Sequence, residues 1–317
     1  MGQLIEGIWH DQWYDTSRTG GRFERTRAQF RHWITHDGSA GPSGDTGFLA
    51  QAGRYHLYVS LACPWAHRTL IFRQLKQLQE IIPISVVHPY MGNQGWTFAP
   101  SDGVIPDPHY KFDYAHQLYT QADASYSGRV TVPILWDTQR QTIVSNESAD
   151  IIRMFNSAFD DLTGNALNFY PQALHQQIDT INDDIYQHIN NGVYRAGFAT
   201  TQAAYEEAVS ALFAQLDVLE QRLSIQPYLV GEILTEADWR LFTTLIRFDA
   251  VYVGHFKCNL KRIADYPHLH AYLQRLYSME GIAQTVNIEH IKAHYYTSHP
   301  TINPTGVIPS GPALAFG

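Results

Sequence analysis

The stretch Tyr55-His56-Leu57-Tyr58-Val59-Ser60-Leu61-Ala62-Cys63-Pro64-Trp65-Ala66-His67-Arg68 decides how this chain folds. Its first part, Tyr55 to Ser60, is aromatic and β-branched, which predicts a strand. A short turn follows, and Pro64 takes the first position of the next helix, where a missing N–H costs nothing. Leu70, Ile71, Leu75 and Leu78 then recur at helical spacing. This order places Cys63 at a helix N-terminus, where free N–H groups and the helix dipole favour a thiolate. Arg68 adds positive charge nearby, and reactive cysteines occupy such surroundings. A single intracellular cysteine is ordinarily a small buried apolar residue. The sequence of strand, Cys-Pro and amphipathic helix is what argues for chemistry instead. Ala66 stands where a Cys-x-x-Cys motif carries its second sulfur, so the site has one thiol.

The rest of the composition bounds the answer. A chain of 317 residues is long enough for two domains with a substantial core. Hydrophobic content of 44% and charged content of 16% describe a folded globular protein. The net charge of −8 and the lack of a basic stripe argue against nucleic acid as a partner. Residues Met1 to Gly7 lack a basic segment followed by an apolar run, so no secretory leader is expected. No apolar run approaches the ~18 residues that would indicate a membrane span. Two cysteines, Cys63 and Cys258, are too few for a disulfide framework and fit a reducing, cytoplasmic setting. The aromatic load of 19 Tyr, 15 Phe and 7 Trp is unusual; much of it is core, and Tyr clusters can also line a pocket for flat rings.

Residues 1–45 are polar, aromatic and Gly-rich, and read as an extension wrapping the following domain. Residues 46–160 then run strand, helix, strand, long insertion, strand, strand, helix. The second strand is expected over Ile82 to Val87, joined to the first by a parallel crossover. The insertion, 89–128, has little periodicity, and a segment of that kind in a compact domain points to a function. Pro133, near the start of the strand Val130 to Trp136, implies an edge, a bulge or a cis bond. Asn146-Glu147-Ser148 opens the next helix. From 161 to 300 the period is helical: Ile178, Ile181, Ile185 and Ile189 share a face, as do Val209, Leu212, Leu216, Leu219 and Leu223. Thr235 and Asp238 have capping-box spacing, and Leu234 with Trp239 forms a staple. The helix they open is apolar nearly all round and is expected to be central. Two further helices are expected at about 263–277 and 281–294, and 301–317 is a Pro/Gly-rich tail.

An α/β domain with a thioredoxin-like order followed by an all-helical domain is the layout of glutathione transferases. Ser60 to Arg68, Gly95-Trp96-Thr97-Phe98, Tyr126 to Pro133, Val144 to Ser148 and Asn191-Gly192-Val193-Tyr194 resemble one subgroup, the xi-class glutathionyl-hydroquinone reductases. Arg247 to Tyr252 and His294-Tyr295 match the later part of its pattern. The resemblance runs from Met1 to about Pro309, and the tail is shorter than the family's.

The resemblance implies reduction of a glutathionyl-hydroquinone to the hydroquinone, with glutathione as co-substrate and no metal. Cys63 would attack the thioether sulfur, and a second glutathione would resolve the mixed disulfide to GSSG. Glutathione would lie against Val132, ahead of Pro133, as an added strand. Glu147 would take its amine, Ser148 and nearby N–H groups its carboxylate, and Arg129 would offer a carboxylate fork. Trp96 would pack on the peptide. Tyr194, Tyr252 and Tyr295 would bind the aromatic ring and donate hydrogen bonds to its oxygen. Residues alone leave open whether Tyr295 or Tyr296 faces the pocket. A homodimer is implied by the relatives. His290 and His294 are four apart, but no third ligand of suitable spacing accompanies them, so a metal site is not expected. Two other readings are a monothiol deglutathionylase of omega or glutaredoxin type and a non-enzymatic carrier on the same fold. The tyrosines and the insertion favour a small aromatic pocket over the first, and the helix-capped thiol weighs against the second.

Overall fold

The computed structural model describes residues 2–42 and 46–314. The expected end of the N-terminal extension at residue 45 and the last three residues of the tail lie outside the described residues. The chain divides into two compact units. One comprises the residues up to Trp13 with Thr26–Asn168, the other Tyr14–Arg25 with the chain from Phe169 onward.

The first unit begins with a hairpin of β1 (Gln3–Ile5) and β2 (Ile8–His10), followed by β3 (Trp33–Thr35) paired in parallel with β4 (Gly47–Leu49). The hairpin turn needs glycine: Gly7 has φ of 77°, and a Cβ there would lie 2.0 Å from the carbonyl oxygen of Ala124. The central sheet follows, with β5 (Tyr55–Val59), α1 (Pro64–Leu75), β6 (Ile84–Val86), α2 (His116–Ala122), β7 (Gly128–Arg129), β8 (Ile134–Asp137), β9 (Thr142–Ser145), α3 (Ser148–Ser157) and α4 (Asp160–Thr163). Its strand order is β6-β5-β8-β9, and β7 instead pairs with β1. β6 is parallel to β5, while β8 and β9 are antiparallel to their neighbours. Every residue of β5 is buried, as its apolar run requires for a strand inside the sheet. α1 and α3 pack against each other. This is the thioredoxin-like arrangement.

Several details depart from the sequence reading. The extension is partly strand, because β1 and β3 find partners that a linear reading does not see. The insertion contains α2, whose seven residues bury only Leu118 and Tyr119, too few to show a period. Asp107 anchors this insertion: it accepts from the Tyr58 hydroxyl at 2.7 Å and from the N–H groups of His109, Tyr110 and Phe112. The boundary at 160/161 falls inside α4, and the first unit runs on to Asn168. Lys76 holds that stretch, its buried ammonium bonding the carbonyls of Asn165 and Leu167 and the carboxylate of Asp160.

The second unit contains α5 (His175–Ile185), α6 (Gly192–Gly197), α7 (Gln202–Leu223), α8 (Glu236–Arg247), α9 (Pro267–Tyr277) and α10 (Ile288–Thr297). Two π-helical turns, Tyr186–Asn190 and Phe248–Tyr252, extend α5 and α8. The segment Tyr14–Arg25 fastens here through an Arg22–Glu207 ion pair at 2.7 Å and a Thr16–Thr200 hydroxyl contact at 2.8 Å. The capping box at Thr235 and Asp238 is present. The fully buried Asp238 carboxylate also accepts from Leu229 N–H and the Tyr272 hydroxyl, both at 2.9 Å. α8 is buried along nearly its whole length, as its apolar surface predicts. α10 starts later than expected, at Ile288, because Asn287 caps it by accepting from His290 N–H at 2.8 Å. Among the described residues no helix is long and apolar enough to cross a membrane.

Candidate active site

Cys63 is the N-cap of α1, in extended backbone, and its sulfur accepts from the N–H of Ala66 at 3.5 Å. The residue that replaces a second thiol therefore supplies the cap donor. The thiol lies 3.4 Å from the carbonyl oxygen of Val132, to which it donates. The Val132–Pro133 bond is cis. The residue expected to carry a glutathione backbone thus stands beside the candidate nucleophile, brought there by β8 pairing with β5.

The N-terminus of α3 completes this end of the sheet. Glu147 is its N-cap and accepts from Ala149 N–H at 3.0 Å, while its own N–H donates to the Ser145 hydroxyl at 3.1 Å. Ser148 is buried, and its hydroxyl accepts from the Arg68 guanidinium at 3.4 Å. Arg68, on the second turn of α1, lies 4.6 Å from the Trp65 ring. It therefore ties the start of one helix to the start of the other. Two helix N-termini, a cation and the Val132 carbonyl converge near one thiol, a setting suited to a peptide with carboxylate groups.

Two further predicted residues lie in the first unit. Arg129 donates to the carbonyls of Gln12, and of Trp13 at 3.1 Å, so its fork clamps the N-terminal segment. Trp96 is 5% exposed in the insertion, and its carbonyl accepts from Ala115 N–H at 2.9 Å. Arg68 enters the sequence reading only as a charge near Cys63, and its bond to Ser148 across the two helix starts is a feature that reading did not contain.

In the second unit the three predicted tyrosines meet. The hydroxyl of Tyr295, on α10, is 2.5 Å from that of Tyr194, on α6, and 3.0 Å from that of Tyr252, in the π-turn after α8. Tyr252 and Tyr295 are fully buried, and burial, followed by the neighbouring Tyr194 phenol, holds both well above the usual phenol range. The π-turns explain the convergence: one extra residue in the turn re-aims the side chains that follow. Tyr296 is not part of the set, since its hydroxyl donates to the Ala250 carbonyl at 3.4 Å. Arg25, from the N-terminal segment, lies 4.8 Å from the Tyr194 ring and donates to Asn191 at 3.1 Å. His290 and His294 stay apart from any metal-binding set: among the described residues no group of three or more His, Cys, Asp or Glu is placed to hold an ion. Cys258 is fully buried and burial pushes its thiol up, which leaves it inert.

Comparison with known proteins agrees with this arrangement. The glutathione S-transferase N-terminal domain model matches residues 62–158 and the C-terminal domain model residues 202–275. The chain is 59% identical to glutathionyl-hydroquinone reductase YqjG of Escherichia coli, covering 98% of this chain and 95% of that protein. It is 55% identical to glutathionyl-hydroquinone reductase PcpF of Sphingobium chlorophenolicum, covering 99% and 97%. The glutathione-bound structure of YqjG superposes with a TM-score of 0.92 over 99% of this chain and 97% of that one, at 55% identity. A xi-class transferase from Natrialba magadii gives 0.91 at 46% identity, over 100% and 94%. The chain belongs to the glutathione S-transferase family, in the group that holds the xi-class transferases and the bacterial glutathionyl-hydroquinone reductases.

Proposed function

We propose that this protein reduces glutathionyl-hydroquinones to hydroquinones, using glutathione and releasing GSSG. One observation carries the reading: Cys63 caps α1 with its sulfur beside the Val132 carbonyl, and Ala66 stands where a second thiol would resolve it. A single thiol of this kind forms a mixed disulfide that needs an outside thiol for release.

The atoms balance as follows. The Cys63 thiolate attacks the thioether sulfur and forms an S–S bond, and the sulfur–carbon bond breaks with its electron pair left on the ring. The ring carbon takes a proton and becomes C–H, so the ring is reduced while the two sulfurs are oxidised to the disulfide. A second glutathione thiolate then attacks the glutathionyl sulfur, yielding GSSG and free Cys63. The first unit is assigned the glutathionyl part: Val132 its backbone, Glu147 its amine, Ser148 and the α3 N-terminus its carboxylate, with Trp96 and Arg129 flanking. The phenols of the second unit, Tyr194, Tyr252 and Tyr295, are assigned the ring, its oxygen and the proton its carbon requires. The protein is assigned to the cytoplasm, in keeping with two cysteines that form no disulfide, and to a homodimer.

The test is to supply purified protein with a glutathionyl-hydroquinone and glutathione, and to follow both GSSG and free hydroquinone. Mass spectrometry after one turnover without excess glutathione is expected to show one glutathione on the Cys63 peptide, removable by reductant. Strong conjugation of glutathione to chlorodinitrobenzene, with no such adduct, would overturn the reading.

A further inference from the structure

The hairpin of β1 and β2 belongs to the same unit as Cys63, yet none of its residues enters the site described above. It is fastened to the far end of the insertion. β1 pairs with β7, the Gly7 N–H donates to the Tyr126 carbonyl at 3.0 Å, and the Glu6 N–H donates to the Ser127 hydroxyl at 2.8 Å. Arg129 holds the carbonyls of Gln12 and Trp13 just beyond the hairpin. The hairpin is thereby tied to residues 126–129, which lead into Val132 beside the thiol.

Trp9, on β2, carries the hairpin's contact to the near end of the insertion. Its indole N–H donates to the Asn93 carbonyl at 2.8 Å. Its ring lies against Gly95: a Cβ there would come within 2.8 Å of the indole, and Gly95 has φ of 73°, so both space and backbone require glycine just before Trp96. His116 stacks on the Trp9 ring at 4.9 Å and 19°, and Tyr114 stacks on His116 at 5.3 Å and 8°. Between those two stands Ala115, whose N–H donates to the Trp96 carbonyl at 2.9 Å. Trp9 therefore touches the chain immediately before Trp96 and the segment that Trp96 bonds. Trp96 itself belongs to no strand, and turns and single bridges hold its neighbours. Such a segment has little stability of its own and takes its shape from what packs on it.

We infer that Trp9 is a positioning residue of the glutathione site: it sets the place of Trp96, and through it the preference of Cys63 for a glutathionyl group over smaller sulfur partners. The inference rests on the reading above only in taking Trp96 as a flank of the glutathionyl part. The N-terminal hairpin is then a working part of the site, because it joins the Trp96 turn to the strand that carries Val132. Trp9 touches neither glutathione nor the Cys63 sulfur in this scheme. It acts by keeping a side chain that does touch the peptide in one orientation, so that the peptide does not have to order it on binding.

The test compares two disulfides as partners of Cys63. In each, the Cys63 thiolate attacks one sulfur, forms a mixed disulfide and releases the other half as a thiolate. GSSG presents a peptide for Trp96 to pack on; hydroxyethyl disulfide presents none. Trp96→Ala is expected to lower the preference for GSSG about 10-fold or more, the worth of one buried aromatic contact. Trp9→Ala is expected to lose most of the same factor while the rate with hydroxyethyl disulfide stays within about twofold. Trp9→Phe keeps a ring against His116 but has no donor for the Asn93 carbonyl, and is expected to lose about threefold. Because Trp9 acts through Trp96, the Trp9→Ala/Trp96→Ala double variant is expected to be no worse than Trp96→Ala alone. An unchanged preference in Trp9→Ala, equal loss with both disulfides, or additive losses in the double variant would overturn the inference. If Trp9→Ala does not fold, Trp9→Phe decides alone: a lowered preference supports it and an unchanged one overturns it. An unchanged preference in Trp96→Ala would remove Trp96 from the site and the inference with it. Failure of the hydroquinone reading shows separately, as wild-type protein that prefers GSSG in exchange but forms no hydroquinone.

Discussion

Replacing Cys63 by serine separates the two things its sulfur does. As the N-cap of α1, the sulfur accepts from Ala66 N–H at 3.5 Å, a long and weak contact. A serine oxygen in the same place is a better acceptor, so Cys63→Ser is expected to match or exceed the native stability. Cys63→Ala has no acceptor and should fall below Cys63→Ser by about 1 kcal/mol, the usual difference at an N-cap. Chemically the two variants are alike, since neither forms a disulfide. Loss of a nucleophile costs on the order of 10⁴ in turnover or more, about 5.5 kcal/mol of barrier, so both should be inactive in hydroquinone reduction. Cys258→Ser serves as the control: its sulfur is fully buried and makes only a 3.8 Å contact to the Phe256 carbonyl. Burying a hydroxyl there costs about 1–3 kcal/mol of stability, while turnover persists. Urea unfolding gives the stabilities, GSSG release gives the rates, and mass spectrometry gives the adduct. More than a small residue of activity in Cys63→Ser, or equal losses in the Cys63 and Cys258 variants, would refute the one-thiol mechanism. So would equal stability of Cys63→Ser and Cys63→Ala, for the capping part of the argument.

Three other outcomes follow from the same geometry. Glu147→Gln should raise the glutathione concentration needed for half-maximal rate by about 10- to 150-fold, the worth of one charged hydrogen bond at ~1.5–3 kcal/mol; an unchanged requirement removes Glu147 from the site. Tyr295→Phe takes away the hydroxyl shared by the phenol cluster, so hydroquinone formation should drop roughly 10²- to 10³-fold while disulfide exchange persists, and parallel loss of both would contradict the role given to the phenols. His255 is held at about 4 against an unfolded value of 6.5, so the unfolded state binds the extra proton and stability is lost as pH falls from 6.5 toward 4. That window is worth about 3 kcal/mol to order of magnitude, and thermal melts of His255→Gln should show a flatter acid slope than wild type. An identical slope would show that this ring is not the cause.

The sequence determined the parts of the site that local chemistry writes in a few consecutive residues. A strand, a Cys-Pro step and an apolar period put Cys63 at a helix start, because capping and proline preference act within one turn. The Glu147 helix start and the Thr235–Asp238 box are legible for the same reason. Family resemblance, rather than spacing, singled out Tyr194, Tyr252 and Tyr295 as a set.

What only tertiary structure decided is where distant residues meet. Tyr194 and Tyr295 are 101 positions apart and Tyr252 and Tyr295 are 43 apart, and no period or cap connects them. The choice between Tyr295 and Tyr296 turns on which face of α10 the hydroxyls of the other two phenols approach. The π-turn that carries Tyr252 leaves no compositional trace, since one inserted residue changes the direction of a side chain without changing the apolar pattern. Arg129 reads as a carboxylate fork in sequence; that it also donates to the carbonyls of Gln12 and Trp13 depends on the pairing of β1 with β7, which no local pattern announces. Helix caps and strand periods are properties of neighbours along the chain; burial and field are properties of neighbours in space, which this chain acquires only once its helices have packed.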